Sequence, residues 1–449
     1  MAIKVGFLSL GCPKNQLDLE LMLARVVAAG YEIVEEDIHA DVMIVNTCAF
    51  IQSAKEESIE AILDLGWLKE NRHLRGVVVT GCLAQRYFDQ IQESLPEVDA
   101  VLALGREQEI CQAIEAVYRG EKMFAHGAPQ ELCLEGDRVV TTPDYTAYLR
   151  VAEGCDNCCS YCAIPQIRGP FRSRRMEDIL AEARTLRQMG VKELCLVAQD
   201  TTRYGEDLYG EYSLDRLLTA ICEDPGLDFP WIRLFYCYPD KITQGLVEVM
   251  AKYPAIVPYI DMPIQHVSDN VLKRMNRHGG SQAIVESIER LRRAMPDVAI
   301  RTTALVGFSG ETGKDFEELL AFVKQTRFRH LGCFAYSREE NTPAYGFDGR
   351  VSQKVKDRRV ERIMEAQAQI SLEYGQEAVG QVKEVLCEGY DPVSECWFGR
   401  SREFAPEIDG RVYFHAKTKP TVGEFVSVKI TQVLDYDLVG ETYREEGHA

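Results

Sequence analysis

From residue 148 to residue 336, short apolar runs alternate with helical patterns, and this rhythm constrains the fold more than any other feature of the chain. The runs fall at 148–152, 193–198, 232–236, 257–261, 299–306 and 331–336. Between the first two, Ile179, Ala183 and Leu186 share one helical face and Gly190 supplies the stop. Strand–helix alternation implies a parallel sheet covered by helices. Six such units predict an open, partial α/β barrel, with its chemistry at the carboxyl ends of the strands.

The flanks read differently. Residues 1–125 hold a second strand–helix series, with strands at 4–10, 41–45 and 76–80 and helices at 17–29, 51–65 and 85–95. A polar segment, 126–140, reads as a linker. The central unit spans 141–375 and ends in a long helix over 352–374. After Gly380 the pattern changes to short alternating segments at 381–386, 411–415, 425–433 and 438–443, which predict a small antiparallel β-barrel over 376–446. The fold class is therefore α/β with an all-β C-terminal module.

No apolar run is long enough to span a bilayer. The first residues are too short and too lightly charged for a signal peptide, which favours the cytoplasm. Fifteen cysteines in a chain of 449 residues is an odd count for a disulfide framework, so their clustering points to metal or catalysis. The formal net charge of -19 argues against broad nucleic-acid binding and permits attraction to a basic partner.

Cys155, Cys159 and Cys162 crowd into one loop directly after the first strand of the central unit. Three thiolates at a strand's carboxyl end suit a cubane iron–sulfur cluster with one iron left open. A structural zinc site would want a fourth Cys or His nearby, and none follows. Cys158 offers a second triplet, Cys155-x2-Cys158-x3-Cys162, and spacing does not choose between the two. Cys12, Cys48 and Cys82 each sit just past one of the three N-terminal strands. In a parallel sheet these ends share one edge, so the thiols can converge on a second cluster that also has an open iron.

Cys-x3-Cys-x-aromatic-Cys, with Tyr161 as the aromatic, resembles the signature of the radical S-adenosylmethionine enzymes. The resemblance selects Cys155, Cys159 and Cys162 and sets Cys158 aside. It implies that the open iron binds S-adenosylmethionine and that a 5′-deoxyadenosyl radical abstracts hydrogen from an unactivated C–H. Together with Cys12, Cys48 and Cys82, the pattern resembles the methylthiotransferase family over essentially the whole chain. Gly-Cys-Pro-Lys-Asn at 11–15, Asn-Thr-Cys-Ala-Phe-Ile at 46–51 and the segment 399–410 resemble the branch that modifies an aspartate of small-subunit ribosomal protein S-twelve. The branch acting on transfer RNA tends to have Gly-Cys-Gln-Met-Asn at the first of these.

What the resemblance implies is specific. Two 4Fe-4S clusters are held by the six cysteines as metal ligands. One S-adenosylmethionine donates a methyl group to sulfur and a second supplies the radical. The C-terminal barrel, similar to a TRAM domain, contacts the ribosomal protein, and a separate electron donor reduces the clusters. Cofactor contacts are expected from Tyr161, Gln199, Asp200, Gln265, His266, Arg301 and Gly307. Several have plain structural alternatives: Asp200 as a turn cap, His266 as a hydrogen-bonded core residue. From Gly380 onward eight Lys and Arg face thirteen Asp and Glu, so the barrel is a poor phosphate binder and suits a basic protein. The competing functions are methylthiolation of a transfer RNA adenosine and a two-cluster electron-transfer or cluster-delivery protein without enzymatic activity.

Overall fold

The computed structural model describes residues 2–35 and 37–443. The N-terminal unit is an all-parallel sheet of β1 (Lys4–Ser9), β2 (Glu32–Val34), β3 (Val42–Thr47), β4 (Gly76–Gly81), β5 (Ala100–Leu102) and β6 (Met123–Ala125), in the order β2-β1-β3-β4-β5-β6. Both β3 and β4 are buried at every position, as strands covered on both faces must be. The covering helices are α1 (Pro13–Ala28), α2 (Gln52–Asn71), α3 (Cys82–Arg86), α4 (Phe88–Ser94) and α5 (Ile110–Tyr118). The single helix expected over 85–95 is in fact two, broken at Tyr87, whose ψ of 37° leaves the helical region.

The central unit is a second parallel sheet. Its edge strand is β7 (Thr146–Arg150), followed by a short antiparallel pair, β8 (Ala152–Glu153) and β9 (Arg172–Ser173), which brackets the cysteine loop and α6 (Ile164–Arg168). Then come β10 (Glu193–Val197), β11 (Trp231–Leu234), β12 (Ile256–Asp261), β13 (Ala299–Val306) and β14 (His330–Ala335), in the order β14-β13-β12-β11-β10-β7. The sheet stays open, with β7 and β14 as its edges. The long helix Gln353–Ala378 buries Ile363 and Ile370 in the core of this unit.

The C-terminal unit is a closed barrel of β15 (Val382–Asp391), β16 (Cys396–Arg400), β17 (Val412–His415), β18 (Phe425–Val433) and β19 (Leu438–Thr442). The strand β16 has no counterpart in the sequence reading. One parallel pairing, β17 with β19, closes an otherwise antiparallel barrel. Residues 444–446, the expected end of the barrel, lie outside the described residues.

The barrel plugs the open sheet. Leu386, Ala405 and Phe425 pack with Tyr148, Trp231, Phe235 and Tyr259 from the concave face of the central unit. Beside them Glu193 of β10, fully buried, takes Arg400 at 2.5 Å and Arg233 at 2.7 Å. Burial alone would raise the Glu193 carboxyl, but the two guanidiniums outweigh it and hold it down to about 2. A depressed carboxyl stabilises the fold above its unfolded value and loses that contribution as pH falls through the folded one. Glu193→Gln would leave the buried Arg233 without an anion and Arg400 with Glu388 alone, at 2.7 Å. It is expected to cost about 3 kcal/mol or more at neutral pH, read as a lower thermal unfolding midpoint. The difference from the parent should shrink as pH falls from about 4.5 toward 2. An unchanged midpoint at neutral pH would contradict this account.

Candidate active site

The first three cysteines stand where β1, β3 and β4 end. Cys12 is the N-cap residue of α1, Cys48 follows β3, and Cys82 opens α3 directly after β4. Two glycines make the approach possible. Gly11 has a φ of 95°, and a Cβ there would lie 2.8 Å from the Cβ of Cys48. Gly81 has a φ of 89°, and a Cβ there would collide with the backbone of Thr47. Asn15 ties the strand ends together by donating to the carbonyls of Leu10 at 2.7 Å and Thr47 at 3.1 Å.

The thiols sense one another. Burial pushes the Cys82 thiol up to about 12, against the pull of Arg168 and with the help of Cys12 and Cys48. Cys48 is raised by burial and by Cys12. Cys12 differs: burial opposes ionisation, but Lys14 and Arg168 outweigh it and set the thiol below its ordinary value.

The second set lies in the loop between β8 and α6. Gly154 has a φ of 77° and packs on the Pro170 carbonyl, which leaves no room for a Cβ. The Cys155 amide donates to the Gly169 carbonyl at 3.1 Å, so the loop is pinched shut at its base. The Cys159 sulfur lies 3.7 Å from the Tyr238 hydroxyl, and the Ile164 amide donates to the Cys162 sulfur at 3.4 Å. Burial first, then Cys159 and Cys155, push the Cys162 thiol well above its ordinary value. Cys158 stands apart. It is exposed, its φ of 51° is left-handed, and its carbonyl accepts from Asn276 at 2.9 Å.

Among the described residues no three His, Cys, Asp or Glu converge tightly enough to hold a single metal ion. A four-iron cluster is wider than an ion, and its ligand sulfurs stand correspondingly further apart. Two sets of three mutually interacting thiols, each with a hydrogen-bond donor at one sulfur, fit such a group.

The comparisons with known proteins agree with this arrangement. Residues 4–103 match Uncharacterized protein family UPF0004, residues 149–323 the Radical SAM superfamily and residues 379–442 the TRAM domain. A curated protein of Thermoanaerobacter sp. (strain X514), named ribosomal protein uS12 methylthiotransferase RimO, is 48% identical over 97% of this chain and 99% of its own. A protein of the same name from Geobacter sulfurreducens is 47% identical over 98% of each chain. The chain belongs to the RimO methylthiotransferase family. It is thus a radical S-adenosylmethionine enzyme. The fold is also that of the radical S-adenosylmethionine methyltransferase TsrM from Kitasatospora setae, at a TM-score of 0.57, 14% identity, 86% of this chain and 81% of that one.

Within this RimO-type architecture a buried charge cluster joins the elements that carry the two cysteine sets. Asp18 of α1 binds Arg150 at 2.5 Å and Arg168 at 2.6 Å, and Glu153 lies 3.4 Å and 3.6 Å from the same two arginines. Arg168, six residues after Cys162, also reaches the Cys82 sulfur at 3.3 Å and the Asn15 side-chain oxygen at 3.0 Å. One guanidinium therefore touches the N-terminal set while belonging to the helix that follows the central loop. On the other side Lys14 reaches the Ala198 carbonyl at 3.4 Å, at the carboxyl end of β10. The loop after β14 also bridges the units through buried Glu339, which pairs with Lys55 and Arg86 at 2.9 Å each, and it braces the cysteine loop of its own unit through the Ala344 amide, which donates to the Ser160 carbonyl at 2.8 Å.

The other residues singled out from the sequence are spread around this junction. The Tyr161 hydroxyl accepts from Arg277 at 3.3 Å, and its ring stands edge-on to Phe308. Gln199 is half-buried and donates to Glu153. Asp200 is fully buried and serves the cysteine loop: it accepts from Asn157 at 2.7 Å and Thr202 at 2.6 Å and lies 3.3 Å from Lys241. Gln265 takes a left-handed φ of 66° and bridges to β13 through its backbone. His266 is fully buried, accepts from the Ser268 amide at 3.0 Å, and faces Glu311 at 3.8 Å. Arg301 lies on the concave face, at 2.9 Å from Asp261 and 3.4 Å from Asp409 of the C-terminal unit. Gly307 packs against Lys356 with its amide on Glu311. Sequence reasoning missed Lys14, Asn15, Asp18 and Arg168 as individual actors. Lys14 and Asn15 were visible only inside the motif at 11–15, and Arg168 only as one of four arginines in the basic run 167–175, which by itself suggests phosphate contact or a solvated helix entry and by the family resemblance the rim of the active site. That run is not a phosphate-binding patch at its buried members: Arg168 and Arg174 are spent on Asp18, Glu135 and Glu182.

Proposed function

We propose that this chain replaces one β-carbon hydrogen of an aspartate in ribosomal protein uS12 by a methylthio group. Two three-cysteine sets at strand ends, in units joined by Arg168 and Lys14, support the reading. In it Cys12, Cys48 and Cys82 hold one 4Fe-4S cluster, and Cys155, Cys159 and Cys162 hold another. When bound, these groups and S-adenosylmethionine would supply radical C–H abstraction together with the sulfur and the methyl group to be transferred. The chain's own side chains do the positioning. Asp200, Asn157 and Lys241 brace the central loop, and Arg277 orients Tyr161 and stacks on Tyr238 at 4.2 Å. Tyr161, Gln199, Gln265 and Arg301 would contact the cofactor with their side chains, and His266 and Gly307 would fix the strand-end backbone through Ser268 and Glu311. The loop after β14 ties the central unit to the N-terminal one, and the segment 401–409 plugs the concave face of the central sheet through Ala405 and Asp409.

A C–H of this kind is neither acidic nor electrophilic, so proton transfer and nucleophilic attack do not suffice. The acidic C-terminal barrel suits a basic ribosomal protein in the cytoplasm better than transfer RNA. The test is anaerobic incubation of the reconstituted protein with reductant, S-adenosylmethionine and either purified uS12 or transfer RNA, followed by mass spectrometry. The expected result is a gain of one methylthio group on an aspartate of uS12. A modified adenosine with unmodified uS12 would reverse the assignment.

A further inference from the structure

We infer that Lys14 holds the carboxylate of the substrate side chain and thereby selects an acidic residue for modification. The inference rests on the function proposed above. Lys14 is 8% exposed, and its ammonium has no carboxylate partner among the described residues. Its neighbours at the junction each have one. Arg150 and Arg168 share Asp18, Arg301 has Asp261 at 2.9 Å, and Lys241 has Asp200 at 3.3 Å. Lys14 instead has the Ala198 carbonyl at a long 3.4 Å and the face of the Tyr236 ring at 3.6 Å from its centroid. An ammonium carries three donors, and a buried one without an anion is strongly disfavoured unless an anion arrives.

The placement matches that arrival. The Lys14 backbone is fixed two residues from Cys12, with its carbonyl held by Arg150 at 2.9 Å. Its ammonium points to the carboxyl ends of β10 and β11, where the central sheet presents its chemistry. Tyr236 keeps a φ of 57°, a left-handed conformation that an aromatic residue adopts at a cost, and this turns its ring under the ammonium. In an aspartate the carbon to be modified is bonded directly to the carboxylate carbon. Gripping the carboxylate therefore fixes the C–H between the two cysteine sets. An asparagine side chain of the same shape lacks the charge and would be rejected.

A plain alternative is that Lys14 serves only as counter-charge to the N-terminal thiolates, a role indifferent to the substrate. Two forms of uS12 separate these, one native and one with the target aspartate changed to asparagine. Binding of each to the reconstituted holoenzyme is measured without reductant, beside kcat/KM for the native form. For Lys14→Met, affinity for native uS12 is expected to fall at least about ten-fold, the size of a lost charge-assisted bond, while affinity for the asparagine form stays unchanged. Lys14→Arg should recover part of the preference, and iron content and 5′-deoxyadenosine yield should match the parent. A Lys14→Met protein that keeps the parent's preference, or that loses iron without losing the preference, overturns the inference. If the parent itself modifies neither form, the proposed function falls, and the inference with it.

Discussion

Alanine at Cys155, Cys159 or Cys162 is expected to abolish reductive cleavage of S-adenosylmethionine, whereas Cys158→Ala keeps it near the parental rate. The four residues share one short loop, so a general disturbance of the loop would affect all of them alike. Their surroundings differ. The thiols of 155, 159 and 162 lie within electrostatic reach of one another, and the sulfurs of 159 and 162 meet Tyr238 and the Ile164 amide. Cys158 is exposed, and its structural work is done by its backbone, through the left-handed turn and the bond from Asn276. Alanine there carries the same left-handed cost as the cysteine it replaces, so the turn survives. The measurement is 5′-deoxyadenosine formed per chain under reducing, anaerobic conditions, with iron counted in parallel. Each ligand variant should fall from roughly eight irons to roughly four, the content of one lost cubane cluster. Full activity in Cys159→Ala together with its loss in Cys158→Ala would mean that the alternative triplet is the ligand set.

The register of this loop marks the limit of what the sequence carries. Spacing left two triplets open, because a loop of this length can aim any of its side chains inward. The family resemblance selected one of them; the exposure of Cys158 and its φ of 51° agree with that selection, and no local pattern encodes either. The parallel strands were legible for the opposite reason. Runs such as Val42–Thr47 are buried throughout and leave a continuous apolar record, whereas β2, β5 and β6 have three residues each and leave no period. At Asn341, where the family resembled has glycine, residue type sufficed, because both residues tolerate a positive φ. Asparagine in a place that calls for a left-handed residue does take a φ of 63°. The convergence of Cys12, Cys48 and Cys82 also followed from topology, since adjacent parallel strands must end on one edge. Partnerships across units did not follow. Asp18, Arg150 and Arg168 are 132 and 150 residues apart in their bonded pairs, and each looks on its own like an ordinary surface charge. The plug at 401–409 was equally hidden, because its residues are recognisable only by the concave face they fill.

Alanine at Cys12, Cys48 or Cys82 should produce the complementary defect: S-adenosylmethionine is still cleaved, but no methylthio group reaches the substrate. The two units have separate sheets, and what packs into the core around Cys82 from the central unit is Ala163 and Ile167 rather than the central cysteines, so losing a thiol at the edge of the first is expected to leave the central ligands in place. The three positions should not be equal in their effect on folding. Cys48 and Cys82 are buried and abut Gly11 and Arg168, so alanine opens a small space and removes one acceptor from the guanidinium. Arg168 nevertheless retains Asp18 and Asn15, which keeps the cost of Cys82→Ala to about 1–2 kcal/mol. Cys12 caps α1 without a side-chain hydrogen bond, so its replacement should barely move the unfolding midpoint. Mass spectrometry of uS12 beside chromatography of 5′-deoxyadenosine reads both activities from one reaction. Radical formation without transfer in all three variants is the expected pattern. Undiminished transfer in any of them would remove the N-terminal edge from the sulfur chemistry, whatever its resemblance to a cluster site.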